Sequence, residues 1–269
     1  MWDFGQETMT RLTFDPGMDC NPNWTPDGRR ILFSSTRDGL ANLYAQTADG
    51  TGAVQRLTTS DAAQFVNSVT RDGAYMLVSQ WTAKSRYDIF LFPFAALVQR
   101  SGVSSAPGMN YSSIAQALVQ SPRTDHGAVI SPDGRFFAYL SHESGRPEIW
   151  VRPFPRASEG RWQVSINGGT APKWDPSGRE LFYLSSANTL MSVAVQPSET
   201  TFRAGTPTKL LEAKYAAPGE YGIYDVSPDS RRFLMMKETD VFESTAAPAD
   251  MIVVLNWFED LKAQSAAGN

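Results

Sequence analysis

The chain has 269 residues, 42% of them hydrophobic, and a net charge of −4, which is a globular composition and argues against disorder. Because no basic stripe is visible, the sequence also argues against a nucleic-acid partner. The single cysteine, Cys20, excludes a disulfide framework and a cysteine-based zinc site within one chain. No apolar run approaches the roughly 18 residues of a membrane span. The first ten residues, MWDFGQETMT, lack the basic and apolar regions of a signal peptide.

In chain order, the predicted elements begin with strand material at residues 8–13 and continue with five related segments. Each has a short lead, a turn and a strand rich in aromatic and aliphatic residues. The five read NWTPDGRRILFSS, SVTRDGAYMLVSQ, VISPDGRFFAYLS, KWDPSGRELFYLS and DVSPDSRRFLMMK. The equivalent turn positions are Gly28, Gly73, Gly134, Gly178 and Ser230, at spacings of 45, 61, 44 and 52 residues. A period of this size indicates a propeller, a solenoid or an array.

The chemistry of each segment predicts a β-hairpin. Proline presets φ, aspartate hydrogen-bonds nearby backbone groups and glycine accepts a positive φ, so Pro-Asp-Gly joins two antiparallel strands. Third strands follow at NLYAQTA, DIFLFPF, EIWVRPF, LMSVAVQ and MIVVLNW, and fourth strands are readable in AVQRLTT, RWQVSIN and TKLLEA. Four short antiparallel strands per ~45 residues make one propeller blade. No copy shows a helical period, which excludes a helical solenoid.

The sequence therefore predicts an all-β propeller of four-stranded antiparallel blades. Five blades are favoured and six are the alternative, with the N-terminal strand at 8–13 pairing near 251–257 to close the ring. One domain is predicted at 1–260, followed by a frayed tail at 261–269. The insert at 95–122 accounts for the longest spacing and is predicted to form an outer strand and a surface loop.

The repeats resemble a known family. The stretch NPNWTPDGRRILFSSTRDGLANLYAQTADGTGAVQRLT looks like the TolB-type WD-like propeller repeat, and SHESGRPEIWVRPFP and VVLNWFEDLK are similar to the C-terminal propellers of bacterial serine/threonine-kinase-like proteins. The resemblance implies a protein- or ligand-binding module, a periplasmic or other extracytoplasmic location, and a piece of a longer sensor or scaffold. No cofactor is predicted. Incomplete strands at a blade edge would also favour a homodimer.

The only two histidines are the best candidates for catalysis. Counting outward from the turn at Gly134 predicts that His126 and His142 share one end of a hairpin, flanked by Asp125 and Glu143. Such groups could hold a divalent metal or serve as general acid and base. The competing interpretation is a set of solvated rim residues, and neither histidine lies in a spaced ligand motif, so no metal site is predicted. The alternative function is thus a hydrolase or lyase.

The same counting selects a polar, partly aromatic rim in the other repeats. Its composition favours a protein, peptide or carbohydrate ligand. The turn aspartates Asp27, Asp72, Asp133 and Asp229 are interpreted as turn-stabilising, and Trp24 and Trp174 as core residues. The predicted ligand-binding residues are Asp19, Asn21, Arg37, Asn67, Trp81, Arg86, Tyr221 and Lys237.

Overall fold

The computed structural model describes residues 2–3, 8–95, 97, 114–197, 201–211 and 224–235. Within these residues the regular structure is almost entirely antiparallel β-strand, as the sequence predicts. The chain forms two compact units, residues 1–130 and 131–269.

The first unit contains eleven described strands. They are β1 (Trp2–Asp3), β2 (Thr8–Met9), β3 (Asp19–Trp24), β4 (Arg30–Ser35), β5 (Asn42–Thr47), β6 (Gln55–Arg56), β7 (Gln64–Val69), β8 (Tyr75–Thr82), β9 (Arg86–Pro93), β10 (Gln116–Val119) and β11 (Asp125–Ile130). Strands β3 to β6 form one four-stranded sheet and β7 to β10 a second, each in chain order. These sheets confirm the predicted four-stranded blades, and β10 confirms the predicted outer strand of the insert.

The second unit contains ten described strands and a short 3-10 helix. They are β12 (Phe136–Ser141), β13 (Glu148–Pro153), the helix (Ala157–Glu159), β14 (Trp162–Gln163), β15 (Thr170–Trp174), β16 (Glu180–Leu184), β17 (Leu190–Pro197), β18 (Phe202–Ala204), β19 (Thr208–Leu211), β20 (Tyr224–Val226) and β21 (Phe233–Met235). The eight-residue β17 pairs with the predicted fourth strand, β19, and with an additional strand, β18. Each of the five predicted turns lies between two strands, which fits the favoured five blades.

The two complete sheets of the first unit pack through one apolar core. Leu32 and Leu43 of the first sheet meet Val66 and Met76 of the second, and all four are fully buried. Burying a side chain of this size contributes roughly 1.5–3 kcal/mol. A hydrogen bond also joins the two sheets, because Ser34 Oγ of the first accepts from the Val66 amide of the second at 3.0 Å.

A hydroxyl that the sequence reasoning overlooked completes four of the five turns. Ser131 Oγ donates to Asp133 Oδ1 at 2.6 Å and accepts from the Phe136 amide at 3.0 Å. Thr25 and Ser227 make the same two contacts in their own turns. The turn aspartates accept hydrogen bonds from backbone amides, which confirms the turn-stabilising role predicted for Asp27, Asp72, Asp133 and Asp229. The signal is visible as Ser or Thr before the Pro-Asp or Arg-Asp pair.

The prediction for the two tryptophans is half right. Trp174 is buried and its ring meets Phe202 edge to face at 6.2 Å. Trp24 is 52% exposed, so placing it in the core was wrong. The additional strand β18 supplies Phe202 in the second unit, whereas no aromatic ring of the described residues packs against Trp24.

The predicted N-terminal closure involves residues beyond the described ranges. Thr8–Met9 forms a two-stranded sheet with Trp2–Asp3. The predicted partner near 251–257, the third strand MIVVLNW and the tail at 261–269 all lie outside the described residues, so ring closure and the domain boundary at 260 stay predictions.

Candidate functional site

Two of the predicted ligand-binding residues, Asp19 and Arg37, bind each other. Arg37 Nη2 lies 3.1 Å from Asp19 Oδ1 and 3.2 Å from Oδ2, and its guanidinium stacks over the rings of Phe33 and Tyr44. Burial raises the pKa of Asp19, but hydrogen bonds from Ser35 and other donors and the charge of Arg37 outweigh it and leave that pKa lowered. A ligand would have to compete with these contacts.

A cavity of about 180 Å³ opens beside this pair. Burial, and then the charge of Asp19, raise the pKa of the Cys20 thiol in its wall to about 11, so the thiol is protonated and a poor nucleophile at neutral pH. The walls are otherwise mostly apolar and comprise Leu12, Thr13, Asp19, Cys20, Pro22, Ile31, Phe33 and Gln46.

The two predicted asparagines, Asn67 and Asn21, both have a local structural role. Asn67 Oδ1 accepts a hydrogen bond from Ser79 Oγ at 2.6 Å, next to the core of the second sheet. Asn21 adopts a φ of 54°, a left-handed conformation that asparagine tolerates better than most residues. Tyr221 and Lys237, the last two predicted rim residues, lie outside the described residues.

The two histidines lie in different units, and their predicted position at one end of a shared hairpin stays a prediction. Asp125 and His126 lie in β11 of the first unit and are only 1% and 2% exposed, so the solvated-rim interpretation was wrong for both. His126 packs edge to face against Tyr87, with ring centroids 6.3 Å apart. This burial arises because the two residues belong to a first strand and not to the loop before it.

In the second unit, His142 is half-buried and Glu143 is exposed. Glu143 forms an ion pair with Arg161, whose guanidinium lies 3.6 Å from the ring centroid of Trp150. No group of three or more metal-ligating side chains occurs among the residues that the structure describes. Catalysis by Asp125, His126, His142 and Glu143 remains a prediction.

The predicted residues Trp81 and Arg86 lie at the exposed end of one long hairpin. Strands β8 and β9 have eight residues each and pair up to Thr82 and Arg86, whereas β4 and β5 have six. Trp81 is paired with Tyr87 and is 45% exposed. A large apolar ring at the tip of a rigid hairpin is the kind of residue that dominates binding energy at interfaces.

The tip is held by a buried network of hydroxyls around Asp88. Ser85 Oγ donates to Asp88 Oδ1 at 2.6 Å and Thr82 Oγ1 to Oδ2 at 3.2 Å, while the two hydroxyls lie 2.6 Å apart. Thr124 Oγ1, from the segment before β11, donates to the Ser85 carbonyl at 3.0 Å. The tip is thus ordered before any partner arrives, which lowers the entropic cost of binding.

Sequence reasoning missed two cations at this tip, Lys84 and Arg123. Lys84 lies in the turn itself, and the hydrogen bond from Thr124 to Ser85 brings Arg123 to the same end of the hairpin. Both side chains are exposed. Lys84 could have been found from its place in TAKSRY between Trp81 and Arg86, but Arg123 has no local signal because only tertiary contact places it here.

The comparisons with known proteins support a TolB-type β-propeller. Residues 1–93 match the TolB beta propeller domain family. The chain is 48% identical over 46 residues to the Tol-Pal system protein TolB of Bordetella pertussis, which is 17% of this chain and 10% of that protein. It is 26% identical over 154 residues to the TolB of Wolinella succinogenes, 56% of this chain and 32% of that protein. The chain therefore spans only a minor part of these curated relatives.

Solved structures agree on the fold. TolB from Acinetobacter baumannii matches with a TM-score of 0.57 at 17% identity, over 83% of this chain and 49% of that one. Hydrazine synthase from Kuenenia stuttgartiensis matches with a TM-score of 0.61 at 15% identity, over 87% and 37%. The periplasmic gluconolactonase of Pseudomonas aeruginosa matches with a TM-score of 0.51 at 18% identity, over 79% and 61%. Different functions on one fold mean that function must be argued from the site.

Among the described residues, no helix has the length and apolar character needed to cross a membrane.

Proposed function

We propose that this protein is a binding module for a protein or peptide partner, held at the exposed tip of the β8–β9 hairpin. The observation that carries the proposal is Trp81, which is 45% exposed at the hairpin end that the buried network around Asp88 holds in place. The matches to TolB proteins support the proposal because those proteins are named as parts of a Tol-Pal system.

The similarity to TolB and to a periplasmic enzyme fits an extracytoplasmic location. The finer resemblance, to C-terminal propellers of kinase-like proteins, fits a sensor or scaffold of which this chain is one part. A carbohydrate ligand and a homodimer remain alternatives for the same surface.

Selection from a random peptide library displayed on phage tests the proposal. Selected peptides are synthesised and their affinities for the wild-type protein and Trp81→Ala are measured by calorimetry. We expect the affinity to fall at least about tenfold, because a central aromatic anchor is typically worth 2 kcal/mol or more. Tyr75→Ala is the matched control, since Tyr75 is 39% exposed at the opposite end of the same strand.

Equal binding to wild type and Trp81→Ala would place the binding surface elsewhere. If no peptide is selected, a glycan array decides whether the ligand is a carbohydrate, and its success would replace the protein-partner proposal.

A further inference from the structure

Three exposed cations, Lys84, Arg86 and Arg123, lie at the same end of the hairpin as Trp81. Lys84, Arg86 and Arg123 form no ion pair with any described residue. Elsewhere in the same unit, Arg37 pairs with Asp19 and Arg56 with Asp38. We call Trp81, Lys84, Arg86 and Arg123 the basic hairpin surface. It stands out because the whole chain carries a net charge of −4.

The backbone at Arg86 is a second, independent observation. Its φ is 75°, in the left-handed region where a residue with a long side chain is strained. The hairpin ends after β4, β12 and β16 also contain one residue in this region, but there it is Gly39, Gly145 or Asn188. Glycine or asparagine would meet the same geometric need at lower cost. A bulky residue in such a conformation at an exposed hairpin end points to a use for its side chain.

The buried network beneath the surface explains how the cations are presented. Asp88 is 3% exposed and accepts hydrogen bonds from Ser85 and Thr82, so its carboxylate faces the interior of the turn. The Ser85 carbonyl is in turn occupied by Thr124. Carboxylates from a partner would therefore find guanidinium and ammonium groups whose backbone is already fixed.

We propose that the basic hairpin surface binds an acidic segment of another protein. An apolar side chain of that segment packs on the Trp81 indole while its carboxylates pair with Lys84, Arg86 and Arg123. Charge complementarity identifies the partner, because bidentate pairing with arginine and stacking on an aromatic ring are the interactions that these four side chains offer. The inference rests on the proposed function and adds the chemistry of the partner.

The test uses three synthetic twelve-residue peptides that share one phenylalanine and alternate leucine with glutamate, glutamine or lysine. Their affinities for the whole chain are measured by fluorescence anisotropy at 50 and 500 mM NaCl. We expect the glutamate peptide to bind best and to lose about fivefold or more in affinity at high salt, since exposed charge pairs are screened. The lysine peptide should not bind.

Variants of the protein locate the effect. Lys84→Gln and Arg123→Gln should each weaken the glutamate peptide about threefold, a size typical of exposed ion pairs. Arg86→Gly should weaken it similarly without lowering the melting temperature, because glycine relieves the left-handed strain. Arg71→Gln is the control, since Arg71 is exposed in the turn at the opposite end of β8 and also forms no ion pair with any described residue.

Each contrary outcome has a distinct meaning. If all three peptides depend on Trp81 but bind equally well, the acidic-partner inference fails while the proposed function stands. If none depends on Trp81, the proposed function fails as well. Tighter binding of a fluorescent single-stranded oligonucleotide than of the glutamate peptide would overturn the inference in favour of nucleic acid. Self-association in light scattering that Arg86→Gly abolishes would make the partner a second copy of this chain.

Discussion

At the scale of single residues, hydrogen bonds of short polar side chains hold the turn of each repeat in its conformation. The hydroxyl of Ser131, 5% exposed, joins the carboxylate of Asp133 to the amide of Phe136 on the next strand. In the fourth repeat the roles are exchanged, because Asp175 precedes the proline and Ser177 follows it, and the two still bond each other. The geometry of the turn is therefore kept by either arrangement.

Replacing Ser131 with alanine should destabilise the protein by about 1–3 kcal/mol, since it leaves the buried Phe136 amide without its acceptor. The midpoint of urea unfolding measures the change. Ser144→Ala is the control, because Ser144 is exposed and bonds only the Arg146 carbonyl. Equal shifts in the two variants would show that the turn hydroxyl carries no special stability.

His126→Ala gives a second prediction at this scale. Because His126 is 2% exposed and packs on Tyr87, we expect a loss of about 2–4 kcal/mol, as for other large-to-small changes in a core. His142→Ala, at a half-buried position, should change stability much less. Thermal unfolding of both variants makes the comparison. An unchanged melting temperature for His126→Ala would contradict a structural role for its ring.

At the scale of elements, two of the third strands, β5 and β13, begin with a buried polar residue that is hydrogen-bonded by a hydroxyl from the outer strand region. Asn42 accepts from Thr58 Oγ1 at 3.3 Å, and Glu148 is bonded by Ser165 Oγ. Ser165 Oγ also accepts from the Ile149 amide at 2.7 Å, as Thr58 does from Leu43 at 3.0 Å. These clasps join the second hairpin of a blade to its outer edge.

Removing the charge of one clasp tests its contribution. Glu148 is fully buried and accepts hydrogen bonds from the Gly168 amide at 3.0 Å and from Arg146 Nε at 2.7 Å. Glu148→Gln should therefore cost about 1–3 kcal/mol in urea unfolding. Glu159→Gln, which removes an exposed pair with Arg156, should cost less than about 1 kcal/mol. If Glu148→Gln lowers the free energy of unfolding no more than Glu159→Gln does, the buried hydrogen bonds of Glu148 do not stabilise the blade.

The sequence predicts the elements well because their signals are local. Turn chemistry at Gly28 or Gly134 and alternating apolar strands are contained within a dozen residues. What it could not predict depends on contacts between distant segments. Trp24 and Trp174 occupy the same position in the repeat, yet only Trp174 meets Phe202 from β18. Likewise, the pairing of Asp19 with Arg37 and the position of Arg123 beside Ser85 arise only after the strands have assembled.

At the scale of the whole molecule, repetition makes many small electrostatic terms act in the same direction. The five turn carboxylates Asp27, Asp72, Asp133, Asp175 and Asp229 all have a pKa below the ordinary value of 3.8. In the exposed turns the main cause is a hydrogen bond from the preceding hydroxyl, as from Thr25 to Asp27. In Asp133 and Asp175 burial raises the pKa, and hydrogen bonds from Ser131 and Ser177 outweigh it.

Stability should consequently fall in acid. A carboxylate whose pKa is lowered on folding binds fewer protons in the folded state than in the unfolded chain. Its contribution is therefore complete above the unfolded value near 4 and is lost as pH falls through the lower folded value. We expect a nearly constant urea midpoint from pH 7 to 5 and a steady decline below about pH 4. Asp27→Asn combined with Asp72→Asn should flatten that decline, with Asp61→Asn, an exposed residue outside the turns, as the control. An equally steep acid decline in the double variant would mean that the turn carboxylates are not its source.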